Sequence, residues 1–323
     1  MFNRIEEVKM ISFEQVTKIY NKEIIVENLN LDVIDGEVTV ILGQSKSGKT
    51  TILNMLNRIV VEDLGEIFIN DVNINDFDIK TLRLSIGYIN KEAGLFSNMD
   101  IRKNLSIVPK KLNWDNTKID NTLDEYFSIL DLNYYEYKSK KVYQLNTEEI
   151  HKIGLIRAFL NDGDIIIMDE PFKNLQSESR LMLSECLLKL HKELGKTIIF
   201  ATNNLEEAIK IGDSVAVIED GKLKSFDRAD KLMSNSKVDI LNDGSSADLY
   251  INILSNMIIE DYMIPKLGKD VRERISQNKT LKDALTFMLQ KTVYDLDVLG
   301  ENGKIVGALN VKDIIKALTY LKG

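Results

Sequence analysis

The residues best suited to chemistry are Gly43, Gln44, Ser45, Lys46, Ser47, Gly48, Lys49 and Thr50, which spell GxxxxGK[ST]. An apolar run from Val38 to Leu42 precedes them and a helix-forming run through Leu56 follows. Strand, glycine-bearing loop and helix make a nest of backbone N–H groups that can wrap a phosphate chain. Glycine at 43 and 48 permits backbone angles and close approach that a Cβ forbids, and the helix turns its positive end to the anion. Lys49 would reach the β- and γ-phosphates and Thr50 would ligate Mg²⁺, with Thr51 beside them in the binding set. The ligands expected at this loop are a triphosphate and Mg²⁺.

A second group of reactive residues closes the run Ile165, Ile166, Ile167, Met168, Asp169, Glu170, Pro171. This reads as a buried strand ending in two acids. A carboxylate at such an end can hold Mg²⁺ through water, which gives Asp169 a metal role beside Thr50, and the next can polarise an attacking water, which gives Glu170 a catalytic role beside Lys49.

Positioning these groups requires an alternating α/β chain. Residues 9–35 alternate apolar and polar around Tyr20, Asn21 and Lys22 and predict a hairpin. Glu66 to Asp71 predicts a short strand, and after Ile86, Gly87 and Tyr88 roughly 98–158 predicts a polar inserted helical subdomain. Helix 176–194, strand 197–201, helix 204–211 and the hairpin SVAVIEDGKLKSF complete a sheet expected to be parallel. The 323 residues suffice for one large domain and an appendage, and 44% apolar content supports a real core. A net charge of −8 argues against nucleic acid as the main partner. Apolar runs are strand-length, well short of the ~18 residues a span needs, so a membrane role would come through a partner. The first residues carry acids and no apolar segment, unlike a secretory signal, and one cysteine, Cys186, suits a reducing cytosol.

With GQSKSGKTT, IIIMDEP and TIIFATNNLEEA in this order, the chain resembles the ATP-binding subunits of ABC transporters over residues 10–235. The stretch IGYINKEAGLFSNMDIRKNL and the C-terminal extension are most similar to importers of glycine betaine and other quaternary amines. The resemblance implies a P-loop core with an antiparallel β subdomain and an inserted helical subdomain, docking an integral-membrane permease at the cytoplasmic face and pairing with a second ATPase subunit, identical or different. It implies ATP hydrolysis coupled to transport of solutes such as glycine betaine, carnitine or choline, and the departures of this chain from the family motifs lower the turnover expected. It also maps an adenine-stacking role to Tyr20, whose alternative reading is a half-buried strand aromatic.

The departures from the family pattern are as informative. The γ-phosphate-sensing glutamine is replaced by Lys91, which either pairs with Glu170 or phosphate or is a solvated surface lysine. The signature loop aligns with Leu145, Asn146, Thr147, Glu148 and Glu149, where no glycine remains. A glutamate ~4 Å from a phosphate charge costs several kcal/mol at an effective dielectric near 20. A simpler reading makes Asn146 an N-cap and Glu149 its capping-box partner, a plain helix start. The dimer-contact aspartate is Gln176 and the switch histidine is Asn203, which keeps one neutral hydrogen bond for a γ-phosphate. These losses leave open a second function, a catalytically weak ATP-binding partner of a competent subunit.

Residues 236–258 predict a linker and helix and 259–323 a small α+β unit: helix 280–290, strand VYDLDVL, a turn at Glu301, Asn302 and Gly303, strand KIVGALN and a final helix. Order and ending resemble one CBS motif, which maps a ribose-binding role to Asp313 against the plain reading of a first-turn acid. A lone motif leaves a sheet face to be covered by another chain's copy. A third function follows from it, a nucleotide sensor acting through the tail.

Overall fold

The computed structural model describes residues 8–229, 273–291, 293, 295–300 and 302–310. The chain divides into two compact units, Met1–Ala229 and Asp230–Gly323.

In the first unit β1 (Lys9–Tyr20) and β2 (Glu23–Ile34) form the expected hairpin. Its turn residues Asn21 and Lys22 both take positive φ, 49° and 71°, as a two-residue turn needs to follow the twist of its strands. The chain then enters β3 (Val38–Leu42) and α1 (Lys49–Leu56). Strands β4 (Leu64–Ile69) and β5 (Val72–Asn73) complete a four-stranded antiparallel sheet in the order β2-β1-β4-β5.

The other sheet has six strands in the order β10-β9-β3-β8-β7-β6. It contains β6 (Ile86–Ile89), β7 (Ile165–Asp169), β8 (Thr197–Thr202), β9 (Ser214–Glu219) and β10 (Lys222–Arg228). Every pair is parallel except the β9–β10 hairpin at the edge. Every residue of β3, β7 and β8 is buried, which is why these runs are predominantly apolar rather than alternating. Ile52 and Leu53 of α1 share one core with Ile41, Ile167 and Ile199 of this sheet and with Phe13, Leu31 and Ile67 of the antiparallel sheet. At ~1.5–3 kcal/mol per buried side chain, this shared core fixes α1, and the loop before it, against both sheets.

Between β6 and β7 the chain forms α3 (Ile101–Leu105), α4 (Ile107–Lys111), α5 (Asn116–Ile129), α6 (Tyr134–Tyr137) and α7 (Thr147–Phe159), with α2 (Ile79–Ser85) just before β6. Phe127 and Tyr134 meet edge to face at 5.5 Å, and the Tyr134 hydroxyl donates to Asp120, which also takes Arg102 at 2.7 Å. The end of α7 is tied to the sheet by buried Lys196, whose ammonium donates to the carbonyls of Phe159, Asn161 and Gly163 at 3.1, 2.9 and 2.9 Å and to Asn161 Oδ1. Burial lowers its pKa to about 8, so it is charged at neutral pH. Helices α8 (Ser177–Leu194) and α9 (Leu205–Ile211) connect β7, β8 and β9.

The second unit contains β11 (Arg274–Ser276), α10 (Leu281–Lys291), β12 (Asp295–Leu299) and β13 (Ile305–Asn310). β11 pairs parallel and β13 antiparallel with β12. Thr280 begins α10 as expected, exchanging two 3.1 Å hydrogen bonds with Asp283. Leu281, Ala284, Met288, Leu296, Val298 and Leu309 form its buried core. The expected linker and helix over 236–258, the final helix and Asp313 lie outside the described residues.

Candidate functional site

The site sits where β3 and β7, neighbours of β8 in the parallel sheet, deliver their C-terminal ends. Gly43 directly follows β3, and its N–H donates to Thr202 O at 3.2 Å. A Cβ on Gly43 would stand 2.3 Å from Ile218 O and 2.6 Å from Ser47 Oγ, so only glycine fits. Gly48 caps α1 at φ 106° and Lys46 is at φ 71°, which curls the loop. The loop is also the seam between the two sheets: Gly221 N–H in the β9–β10 turn donates to Ser47 O at 3.1 Å, and Glu27 N–H of β2 donates to Gly221 O at 2.9 Å.

Lys49 is buried, its ammonium donating to Gly43 O and Gln44 O at 2.7 and 2.8 Å and lying 3.6 Å from Glu170 Oε1. Burial lowers its pKa while Glu170 opposes the change. Thr50 Oγ1 donates to Asp169 Oδ2 at 2.9 Å and to Oδ1 at 3.1 Å. Burial raises the Asp169 pKa, with the Thr50 hydrogen bond and Lys91 pulling the other way. Ser47 Oγ is buried without a hydrogen-bond partner, a polar atom facing into the loop that a ligand oxygen would satisfy.

Hydroxyl and carboxylate thus converge, and no group of three or more His, Cys, Asp or Glu among the described residues could hold a metal by itself. Two hard oxygens suit Mg²⁺, which keeps waters and takes its other ligands from phosphate. Thr50 and Asp169 would hold it, and it would neutralise charge on the phosphates.

Glu170 lies just beyond β7, 5% exposed, with its backbone at φ 48° and its N–H donating to Ala201 O at 2.8 Å. A non-glycine residue in the left-handed region costs of order 1 kcal/mol or more and persists where surroundings enforce it. Three ammonium groups surround its carboxylate. Lys173 Nζ donates to Oε2 at 2.6 Å, Lys91 Nζ lies 3.6 Å from the same oxygen, and Lys49 faces Oε1. Burial pushes the Glu170 pKa up, but Lys173, Lys49 and Lys91 outweigh it and hold the carboxyl below its ordinary value. Lys173 was not among the residues singled out from sequence. The signal was its position three residues after Glu170, on a turn where Lys173 N–H donates to Glu170 O at 3.2 Å.

Other residues are less concentrated. Tyr20 ends β1, 40% exposed, with Lys18 Nζ 5.3 Å from its ring centre. Asn203 is exposed one residue beyond β8, and Gln176 precedes α8 without a side-chain cap. At the start of α7, Asn146 Oδ1 accepts from Glu149 N–H at 2.8 Å and Glu149 Oε2 accepts from Asn146 N–H at 2.9 Å, a capping box. Tyr137 donates to the other oxygen of Glu149 at 2.6 Å, and Ser179 donates to Glu148 at 2.9 Å. That turn's acids are committed within the chain.

Together the phosphate nest, the Thr50–Asp169 pair and the parallel sheet define a P-loop nucleotide-binding protein. Residues 26–173 match the family model described as ABC transporter. A carnitine transport ATP-binding protein of Listeria monocytogenes is 35% identical over 306 residues, 94% of this chain and 76% of that protein. A glycine betaine/carnitine/choline transport ATP-binding protein of Bacillus subtilis is 31% identical over 94% of this chain and 79% of its own length. Among solved structures, a dimeric bacterial ABC transporter cassette aligns with TM-score 0.59 and 26% identity, covering 68% of this chain and 99% of the cassette. The chain belongs to the ATP-binding subunits of ABC transporters.

Proposed function

We propose that the chain binds ATP with Mg²⁺ and hydrolyses it slowly to energise an importer of quaternary amines such as carnitine, glycine betaine or choline. The observation that carries the reading is the meeting of Lys49, Thr50, Asp169 and Glu170 at one loop, with a 2.9 Å contact from Thr50 to Asp169. The named solutes of the relatives support the substrate class. No helix among the described residues is long and apolar enough to cross a membrane; in this reading, which the family membership supports, the solute path belongs to a permease, docked through the helical segment α3–α7 at the cytoplasmic face. A second cassette completes the assembly, and the tail pairs with another copy's tail, with Asp313 offered to the ribose of an adenine nucleotide there.

In hydrolysis Lys49 leaves its two carbonyls for the phosphates, Glu170 orients the attacking water, and Lys91 and Asn203 flank the terminal phosphate. Glu148 and Glu149, tied to Ser179 and Tyr137, give the opposite subunit's nucleotide no donors from that turn, which supports slow turnover. The test is heat unfolding with millimolar MgATP. A ligand at one hundred times its Kd stabilises by about 2.7 kcal/mol, so a clear upward shift is expected, lost in Lys49→Ala. Absence of any shift in the unsubstituted chain overturns the reading. Uptake of labelled carnitine and glycine betaine by cells lacking the chain tests the solute class.

A further inference from the structure

We propose that Lys173 is a positioning residue for Glu170, fixing which of the two carboxylate oxygens is offered to the attacking water. The inference rests on the ATPase reading above.

The two oxygens have different neighbours. Oε2 accepts from Lys173 at 2.6 Å and has Lys91 3.6 Å away, whereas Oε1 has only the phosphate-loop lysine, Lys49, at 3.6 Å. Lys49 is the group that the ATPase reading sends to the phosphates, so Oε1 is the oxygen on the phosphate-loop side, and Oε2 is the one that Lys173 holds. An ammonium on Oε2 removes the side chain's freedom to rotate and leaves Oε1 with lone pairs to accept a hydrogen bond from water. Rotational control matters here because Glu170 starts from a left-handed backbone, φ 48°, which aims its side chain from an uncommon angle. Lys173 is itself held close, since its own N–H donates to Glu170 O at 3.2 Å and closes the turn that carries both residues. Lys91, 3.6 Å away and 47% exposed on its side chain, supplies charge without a short hydrogen bond.

The experiment compares Lys173→Ala and Lys173→Arg in the full chain, each alone and with Glu170→Gln. Turnover, KM and the affinity for a fluorescent MgATP analogue are measured for all. Misplacing a reacting group by about 1 Å costs up to about a hundredfold, so Lys173→Ala is expected to lower kcat at least about tenfold. KM and analogue affinity are expected to stay within about twofold, and Lys173→Arg to restore most of the rate. With Glu170→Gln in place, Lys173→Ala is expected to lower kcat no further, because the two act as a unit.

An unchanged or faster Lys173→Ala overturns the inference, as does an equal loss in the Glu170→Gln background, or nucleotide binding with no turnover in the unsubstituted chain. Failure of the unsubstituted chain to bind the analogue overturns instead the ATPase reading on which this one stands.

Discussion

Replacing Gly43 by alanine tests the phosphate nest by one methyl group. An ordinary close contact is no shorter than about 3.4 Å, and the new Cβ would stand 2.3 Å from Ile218 O, a shortfall of about 1.1 Å, and 2.6 Å from Ser47 Oγ. Ser47 can rotate away, but Ile218 O belongs to β9, a strand paired to β3 and β10 and unable to yield cheaply. Overpacking of this kind costs ~1–3 kcal/mol, and the loop must shift by a large fraction of an ångström away from its phosphate-wrapping geometry. Gly195→Ala is the control: φ is 64° but nothing lies within 4 Å, so backbone strain alone, ~1–2 kcal/mol, is added far from the loop. Urea unfolding is expected to show both variants destabilised, whereas calorimetric titration with MgATP is expected to show at least about tenfold weaker binding for Gly43→Ala alone. Equal nucleotide affinity in the two variants would refute the argument from close approach.

Lys196→Met leaves the carbonyls of Phe159, Asn161 and Gly163 without their donor and is expected to lower stability by ~2–4 kcal/mol at pH 7, read from urea midpoints; a loss below ~1 kcal/mol contradicts it. Asn146→Ala removes the cap of α7 and is expected to cost ~1 kcal/mol, again by urea unfolding, without strengthening nucleotide binding. Glu149 has its pKa lowered by the Tyr137 hydroxyl and the Asn146 N–H, so its folded form holds a proton less readily than its unfolded form. Its contribution is therefore present above its unfolded value of about 4.5 and lost as pH falls through the lower folded value, and Glu149→Gln is expected to flatten that part of the stability–pH curve. Asp169→Asn is expected to reduce the gain in ATP affinity on adding magnesium, measured by titration with and without chelator.

The nucleotide loop, the acid pair and the strands that deliver them were legible because their signals are local: glycine spacing, a run of apolar residues ending in acids, a two-residue turn. The capping box at Asn146 and Glu149 was legible for the same reason. The register of the β1–β2 hairpin was not, because shifts between Phe13 and Val16 accompany positive φ at Gln15 and Asn28, bulges set by packing rather than by alternation. Nor was the full set of amines around Glu170: the pairing with Lys91 was one of two readings open from sequence and is found at 3.6 Å, whereas Lys173 gave no such sign. Lys173 shares the turn of Glu170, but Lys49 follows β3 and Lys91 follows β6, and only the parallel pairing of β3 with β8, β8 with β7 and β7 with β6 brings those ends together. The role of Lys196 was hidden likewise, since its acceptors lie more than thirty residues earlier.

The joint between Ser47, Gly221 and Glu27 carries a mechanical consequence. A loop stitched by its own main chain to a turn of one sheet, and through that turn to a strand of the other, cannot tighten on an anion without loading both. Ligand occupancy is therefore expected to be felt at Gly221 and Glu27. Deuterium uptake should slow at Glu27 and at Gly221, neither of which is in the phosphate nest, as well as along the nest.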